Sequence, residues 1–285
     1  MNKIISFILF FVVTVQYLSA QILPLDNSKL NYRLIGFSFP PVVAASGYTI
    51  QIADGNYNNE DSFKNNIICA LPVNANKLIT EVPAFGRQYT WRVMYSVNNE
   101  TIGTKATDLH HFSTGIIPAV DTTRNRLRIT TAAKKYKDAV VFLDALGVLY
   151  DMNGMPLWYL PSNSLINRDE VIRDMKLSPL GTITFLLGSK IFEINYNGDV
   201  LWKRSPEDIR NKQLGKINSF YHHEFTRLSN GHYMALGSED VICKLPSAGD
   251  TAFLIGPGGG TDTNKNYRKI PFGTLVEYDE NGNEV

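Results

Sequence analysis

Tyr221-His222-His223-Glu224-Phe225-Thr226-Arg227 gathers two imidazoles, a carboxylate and a guanidinium in one short stretch. Imidazole takes up or releases a proton near neutral pH, and its neutral ring nitrogen is a nucleophile. A guanidinium holds anionic oxygens through charge-assisted hydrogen bonds. Read as a strand, the stretch sends neighbouring side chains to opposite faces. His223, Phe225 and Arg227 then share one face, and Glu224 points the other way. A bulge at the strand start would turn His222 inward as well. The candidate catalytic residues are therefore His223, then His222, with Arg227 as the candidate substrate-binding residue. The bland alternative is that both rings pack in the fold and satisfy backbone groups. A metal needs more ligands than this pair, so no metal is expected. His110 and His111 are expected in structural or surface roles, and His232 at an exposed strand start.

The elements that must carry this stretch repeat. Val148–Gly154, Ile191–Gly198 and Leu275–Gly282 each read as a strand running into an Asn-Gly turn. An Asn-Gly pair suits the positive φ of a tight hairpin. A second motif alternates with the first. Asp174–Gly181 precedes the apolar strand Thr182–Leu186, and Glu224–Gly231 precedes His232–Leu236. Strand, turn, strand, loop, strand, turn, strand within ~40–50 residues is the period of a β-propeller blade. Residues 139–285 hold about three such units, and a closed propeller needs at least four. The expectation is an incomplete β-propeller from a C-terminally truncated chain. The histidine stretch then lies on the first, innermost strand of a blade.

Residues 21–115 read as a separate small β-sandwich. Tyr48–Ile52, Lys77–Val82, Tyr89–Tyr95 and His110–Thr114 are its candidate strands, with turns at Asp54-Gly55-Asn56 and Phe85-Gly86-Arg87. The strand order is similar to that of fibronectin type III modules, an Ig-like sandwich, which speaks to fold alone. Residues 116–138 read as a connection with a strand at Arg126–Thr130. Arg124, Arg126 and Arg128 in it are expected to form a solvated face. Ser205–Lys212 suggests a short surface helix, and Gly256–Gly260 a flexible loop within an insertion at Gly249–Gly273.

Composition narrows the function classes. The chain has 285 residues, 28 Lys+Arg against 27 Asp+Glu, 44% hydrophobic and 19% charged residues. This is an ordinary globular, all-β balance with no basic footprint for nucleic acid. Asn2 and Lys3, the apolar run Ile4–Tyr17 and Leu18-Ser19-Ala20 have the layout of a signal peptide cleaved before Gln21. The run is too short for a membrane span, and no later stretch is long and apolar enough for one. A periplasmic or secreted protein is expected. Cys69 and Cys243 sit in different expected domains, so no bridge between them is expected.

Residues 117–285 resemble the aryl-sulfate sulfotransferase family. The carrying residues are the His222-His223-Glu224-Phe225 strand, the Leu228-Ser229-Asn230-Gly231 turn, and the strand ends "NYNGDVLW" and "YDENGNEV". The order of signal peptide, sandwich and propeller is also that of the family. The resemblance implies a sulfotransferase that uses no PAPS and no other cofactor. An aryl sulfate ester gives its sulfuryl group to a histidine nitrogen, and a phenol acceptor then takes it. It implies a homodimer, and it implies that the sulfated histidine lies beyond Val285. His222 and His223 then serve sulfuryl binding or acid–base chemistry, and residues 21–285 alone lack turnover. Two other readings stand beside it. One is a non-catalytic secreted protein that binds glycans or proteins. The other is a quinone-dependent propeller enzyme, whose repeated tryptophan-docking pattern the sequence lacks.

Overall fold

The computed structural model describes residues 21–97, 105–117, 127–131, 134–205, 215–244 and 267–285, with the side chains of 215–219, 242–244 and 267–269 excepted. The expected signal peptide, Arg124, Arg126, the expected helix after Ser205 and the glycine-rich loop lie outside the described residues. What is described is all-β in several sheets, none of them closed. No helix among the described residues is long and apolar enough to cross a membrane.

The chain divides into two compact units, and the division is interleaved. The first holds the residues up to Ser28, Ile35–Glu81 and Gln88–Ser113; the second holds Lys29–Leu34, Val82–Arg87 and Thr114–Val285.

The first eight strands are β1 (Ser28–Leu30), β2 (Leu34–Ser38), β3 (Ala45–Asp54), β4 (Ile67–Val73), β5 (Lys77–Glu81), β6 (Gln88–Val97), β7 (Lys105–Ala106) and β8 (His110–Thr114); all but Lys29, Leu30, Leu34 and Thr114 belong to the first unit. One sheet runs β1-β8-β6-β3-β4 with β7 on β6, and β2 pairs with β5 apart from it. Ile52 lies opposite Trp91 in the β3–β6 ladder. Trp91 meets Phe37 edge-on at 5.0 Å, and Tyr89 stacks on Phe112 at 5.2 Å. Each such aromatic contributes area burial of about 25 cal/mol per Å² and a geometric preference besides. A helix, α1 (Glu60–Asn65), interrupts the strands, capped by Asn59, which accepts the Ser62 N–H at 2.8 Å. Its Glu60 bonds the Arg92 guanidinium at 2.5 Å, and Arg92 lies 4.7 Å over the Phe63 ring. His111 donates from Nε2 to the Tyr57 carbonyl at 3.0 Å, and the His110 ring lies 5.2 Å from Trp91. Both serve this unit's packing.

In the second unit the strands are β9 (Val140–Leu143), β10 (Val148–Asp151), β11 (Pro156–Tyr159), β12 (Ile172–Leu177), β13 (Ile183–Leu187), β14 (Lys190–Ile194), β15 (Val200–Arg204), β16 (Gly215–Arg227), β17 (Tyr233–Lys244) and β18 (Tyr267–Tyr278). They form three sheets in chain order, β11-β10-β9, β12-β13-β14-β15 and β16-β17-β18. Each is an antiparallel meander. Of the strand expected at Arg126–Thr130, the described residues Leu127–Thr130 are irregular.

The middle sheet is covered on both faces. Ile183, Phe185 and Leu187 of β13 pack into one cluster with Leu149 and Trp158. Leu186 and Ile191 pack into another with Tyr221, Phe225, Tyr233 and Tyr278. This is why β13 is buried at every position, with Thr184 the one polar residue in it. Lys29–Leu34 and Val82–Arg87 are bound to this unit by backbone recognition. Arg33 donates from Nε to the Pro156 carbonyl at 2.8 Å and from Nη1 to those of Val82 and Pro83 at 2.9 Å. Asn31 donates to the Tyr159 and Tyr196 carbonyls, both at 2.9 Å.

The recurrent glycines occupy one turn geometry. Gly154, Gly198 and Gly282 have φ of 79°, 88° and 85°. The preceding Asn has no positive φ, so this is not the two-residue turn the sequence suggests. It is a three-residue loop with a left-handed glycine last. Asp151 Oδ1 accepts the N–H groups of Asn153 and Met155 at 2.9 and 2.8 Å. Asn195 and Asp279 do the same in their own loops. Ser178 does so with its hydroxyl at 3.2 Å to Leu180 and Thr182.

Candidate functional site

His222 and His223 do not lie on a regular strand. Tyr221 pairs with Gly237 and Phe225 with Ala235, so His222, His223 and Glu224 together stand opposite Leu236 alone. β16 bulges here, and His223 adopts a left-handed φ of 64°. That conformation costs a non-glycine residue about 1–3 kcal/mol and persists only where its surroundings fix it. The bulge overturns the expectation that the two imidazoles point to opposite faces. Their rings lie 4.9 Å apart at 79°. His223 is exposed and His222 half-buried.

A matching irregularity lies on β12. Arg173 pairs with Leu186 and Lys176 with Thr184, so Asp174 and Met175 stand opposite Phe185 alone. Asp174 also takes a left-handed φ, 53°. Its Oδ2 accepts the Phe225 backbone N–H at 2.7 Å. Lys176 donates to Asp174 at 3.0 Å and also to Glu224. The two bulges are therefore tied together by a backbone hydrogen bond and an ammonium shared between two carboxylates. Burial pushes the Asp174 carboxyl above its ordinary range, against the pull of the Phe225 N–H and Lys176. Burial would lower the Lys176 pKa, but Glu224 and Asp174 outweigh it and hold it above its ordinary value. Asp174 and Lys176 were not among the residues expected at the site. The only trace of Asp174 in the sequence is its alignment with Glu224 in the repeat.

Arg227 is placed differently from its expected role. Its Nη1 bonds the Glu193 carboxylate and the Tyr233 hydroxyl, the latter at 2.6 Å. Glu193 is fully buried, and Tyr233 donates to it at 2.6 Å. The Thr182 hydroxyl supplies a further bond to Glu193, and Ser178 lies 2.6 Å behind Thr182. Burial first, and the bond to Glu193 next, push the Tyr233 phenol well above its ordinary value, so it stays a donor. Arg227 thus neutralises a buried carboxylate from the neighbouring sheet. Phe225, Tyr233 and Trp202 stack over this group, with Trp202 4.0 Å from Tyr233.

His222 Nε2 lies 2.6 Å from the Ser238 hydroxyl, and its Nδ1 is buried with no hydrogen-bond partner among the described residues. His232, expected to be exposed, is half-buried and pairs with Glu277 at 2.7 Å. Among the described residues no group of His, Cys, Asp and Glu is arranged to hold a metal ion.

No protein-family model matches the chain, and comparison with curated proteins finds no match.

Proposed function

We propose that the second unit is part of a β-propeller whose His222–His223 bulge binds the sulfuryl group of an aryl sulfate ester. In this reading the three meander sheets are blades and the first unit is a fibronectin III-like sandwich. The protein is exported after Ala20 and works as a homodimer in PAPS-independent sulfuryl transfer to a phenolic acceptor through a sulfohistidine. The observation that carries the reading is His223, which is lifted out of its ladder at φ 64° with its ring exposed against that of His222. A strained, exposed imidazole beside a second one suits a group that must exchange a proton with a bound ligand. Lys176 adds a cation next to the bulge. The stacking of sheets with apolar clusters on both faces of the middle one supports the blade assignment.

Arg227 serves this reading as a positioning residue, because Glu193 and Tyr233 hold its Nη1. That same commitment favours a second reading, a secreted propeller that binds a neutral glycan or a protein. Phenyl sulfate and phenol, titrated into residues 21–285 with histidine ring resonances followed by NMR, separate the two. The sulfuryl reading expects phenyl sulfate to shift the His223 ring and phenol alone to leave it. Equal shifts with both compounds, or none with either, favour the second reading.

A further inference from the structure

We infer that Ser238 and His222 form a nucleophile–base pair that cleaves a neutral carboxylic ester. The inference goes beyond the sulfuryl reading and shares only His222 with it. The Ser238 hydroxyl lies 2.6 Å from His222 Nε2, within reach for direct proton transfer. The bulge is what permits this. Ser238 pairs with Phe220 in the ladder, and His222 reaches it from beyond Tyr221 because β16 leaves the ladder there.

The surroundings of Ser238 define the substrate. Directly opposed residues in an antiparallel ladder share a face. Phe220 on one side and Gly273 on the other lie opposite Ser238. Gly273 leaves open space, since a Cβ there would meet nothing within 4 Å. Leu236, two residues along β17, shares the face and pairs with Leu275. Phe220 is 38% exposed and Leu275 67% exposed, so the hydroxyl sits in a glycine gap flanked by accessible apolar side chains. This apolar flank fits an uncharged carboxylic ester with an apolar or aromatic alcohol.

The step balances without another reactant but water. With the imidazole proton on Nδ1, Oγ attacks the carbonyl carbon and its proton passes to Nε2. The ester C–O bond breaks, and the departing alcohol takes that proton. Water then attacks the acyl carbon and gives a proton to Nε2. The Oγ–acyl bond breaks, and Oγ regains the proton as the carboxylic acid leaves.

The test is a fluorophosphonate probe on residues 21–285, with the adduct mapped by peptide mass spectrometry and hydrolysis of 4-nitrophenyl butyrate followed alongside. The expected result is an adduct on Ser238 that is lost in Ser238→Ala. In His222→Gln the labelling rate falls by ~10²-fold or more, the scale of a lost general base. No adduct on the folded wild type, an adduct elsewhere only, or an unchanged rate in folded His222→Gln overturns the pair. Should His222→Gln fail to fold, the mapped wild-type adduct decides. Phenyl sulfate binding is measured on the same samples. Binding without a Ser238 adduct removes the pair alone, and an adduct without binding removes the sulfuryl reading alone.

Discussion

Asp174 accepts the backbone N–H of Phe225 at 2.7 Å, and through that bond the bulge of β12 holds the bulge of β16. Both residues that turn left-handed in these bulges, Asp174 and His223, are non-glycine. The site geometry is therefore set between two sheets and not within one strand. Replacing Asp174 by Ala leaves the Phe225 N–H without its acceptor and Lys176 with one carboxylate fewer. A buried donor left unpaired costs about 1–3 kcal/mol. Asp174→Asn keeps an acceptor and a side chain that tolerates the left-handed region, so it costs less than half of that. Urea unfolding of the three proteins checks the order, and the His222 and His223 resonances should move in Asp174→Ala.

Arg227 is predicted to matter for stability before it matters for ligands. Arg227→Ala strands the fully buried Glu193 carboxylate, and breaking a buried pair costs about 3–5 kcal/mol. Glu193→Gln in the Arg227→Ala background recovers part of the loss, because the stranded charge is gone. Urea midpoints of the single and double variants decide this. An Arg227→Ala protein as stable as wild type contradicts the assignment.

The turns test a different cost. Gly231 has φ of 89°, and a Cβ there would meet only Arg227 Nη2 at 3.7 Å. Gly231→Ala then pays the left-handed penalty alone, about 1–2 kcal/mol. A Cβ on Gly154 would fall 2.4 Å from the Leu127 carbonyl oxygen, a backbone atom that cannot swing away. Gly154→Ala is expected to destabilise more than Gly231→Ala in the same unfolding assay.

These turns were the legible part of the fold. The glycine recurrence in Leu228–Gly231 and its relatives predicts hairpins in order, and the structure has them as meander sheets. Strand-forming runs between turn residues also located β3, β5, β6 and β8 to within a few residues. The site was legible only in its residue types. Alternation along Tyr221–Arg227 presumes one residue per ladder position, and the bulge breaks that presumption. Its cause, Asp174, sits on another sheet and leaves no local signal. Glu193 stands alone within the apolar run Ile191–Ile194, and its partner Arg227 belongs to a different sheet. Ser238 and His222 share a sheet, and the bulge in β16, not strand alternation, brings them together. Contacts that cross sheets have no period, so sequence spacing cannot reveal them.

The first unit carries a pH prediction of defined sign. The Arg92 hydrogen bond, then that of Lys64, holds Glu60 down to about 2. A carboxylate whose folded pKa lies below its unfolded value stabilises the fold above the unfolded value and loses that contribution as pH falls to the folded one. Wild type is therefore expected to exceed Glu60→Gln in stability at pH 6, and the gap should close between about pH 4.5 and pH 2. Because Glu60 is half exposed, the gap is small at high salt. Thermal melts of both proteins across that range check it. A gap that widens on acidification reverses the sign and contradicts the pairing.

The central claim, that the bulged imidazole binds the sulfuryl group of an aryl sulfate, is tested most directly at His223 itself. Residues 21–285 of wild type and of His223→Ala are titrated with phenyl sulfate, with the His223 and His222 ring resonances and the binding isotherm recorded together and thermal unfolding run on the same samples. The account predicts saturable shifts of the His223 ring. It also predicts affinity in His223→Ala lower by at least ~10-fold, the scale of one lost charge-assisted hydrogen bond, with the melting temperature retained. Undiminished binding in a folded His223→Ala protein, or a His223 ring that phenyl sulfate leaves unmoved, would contradict it.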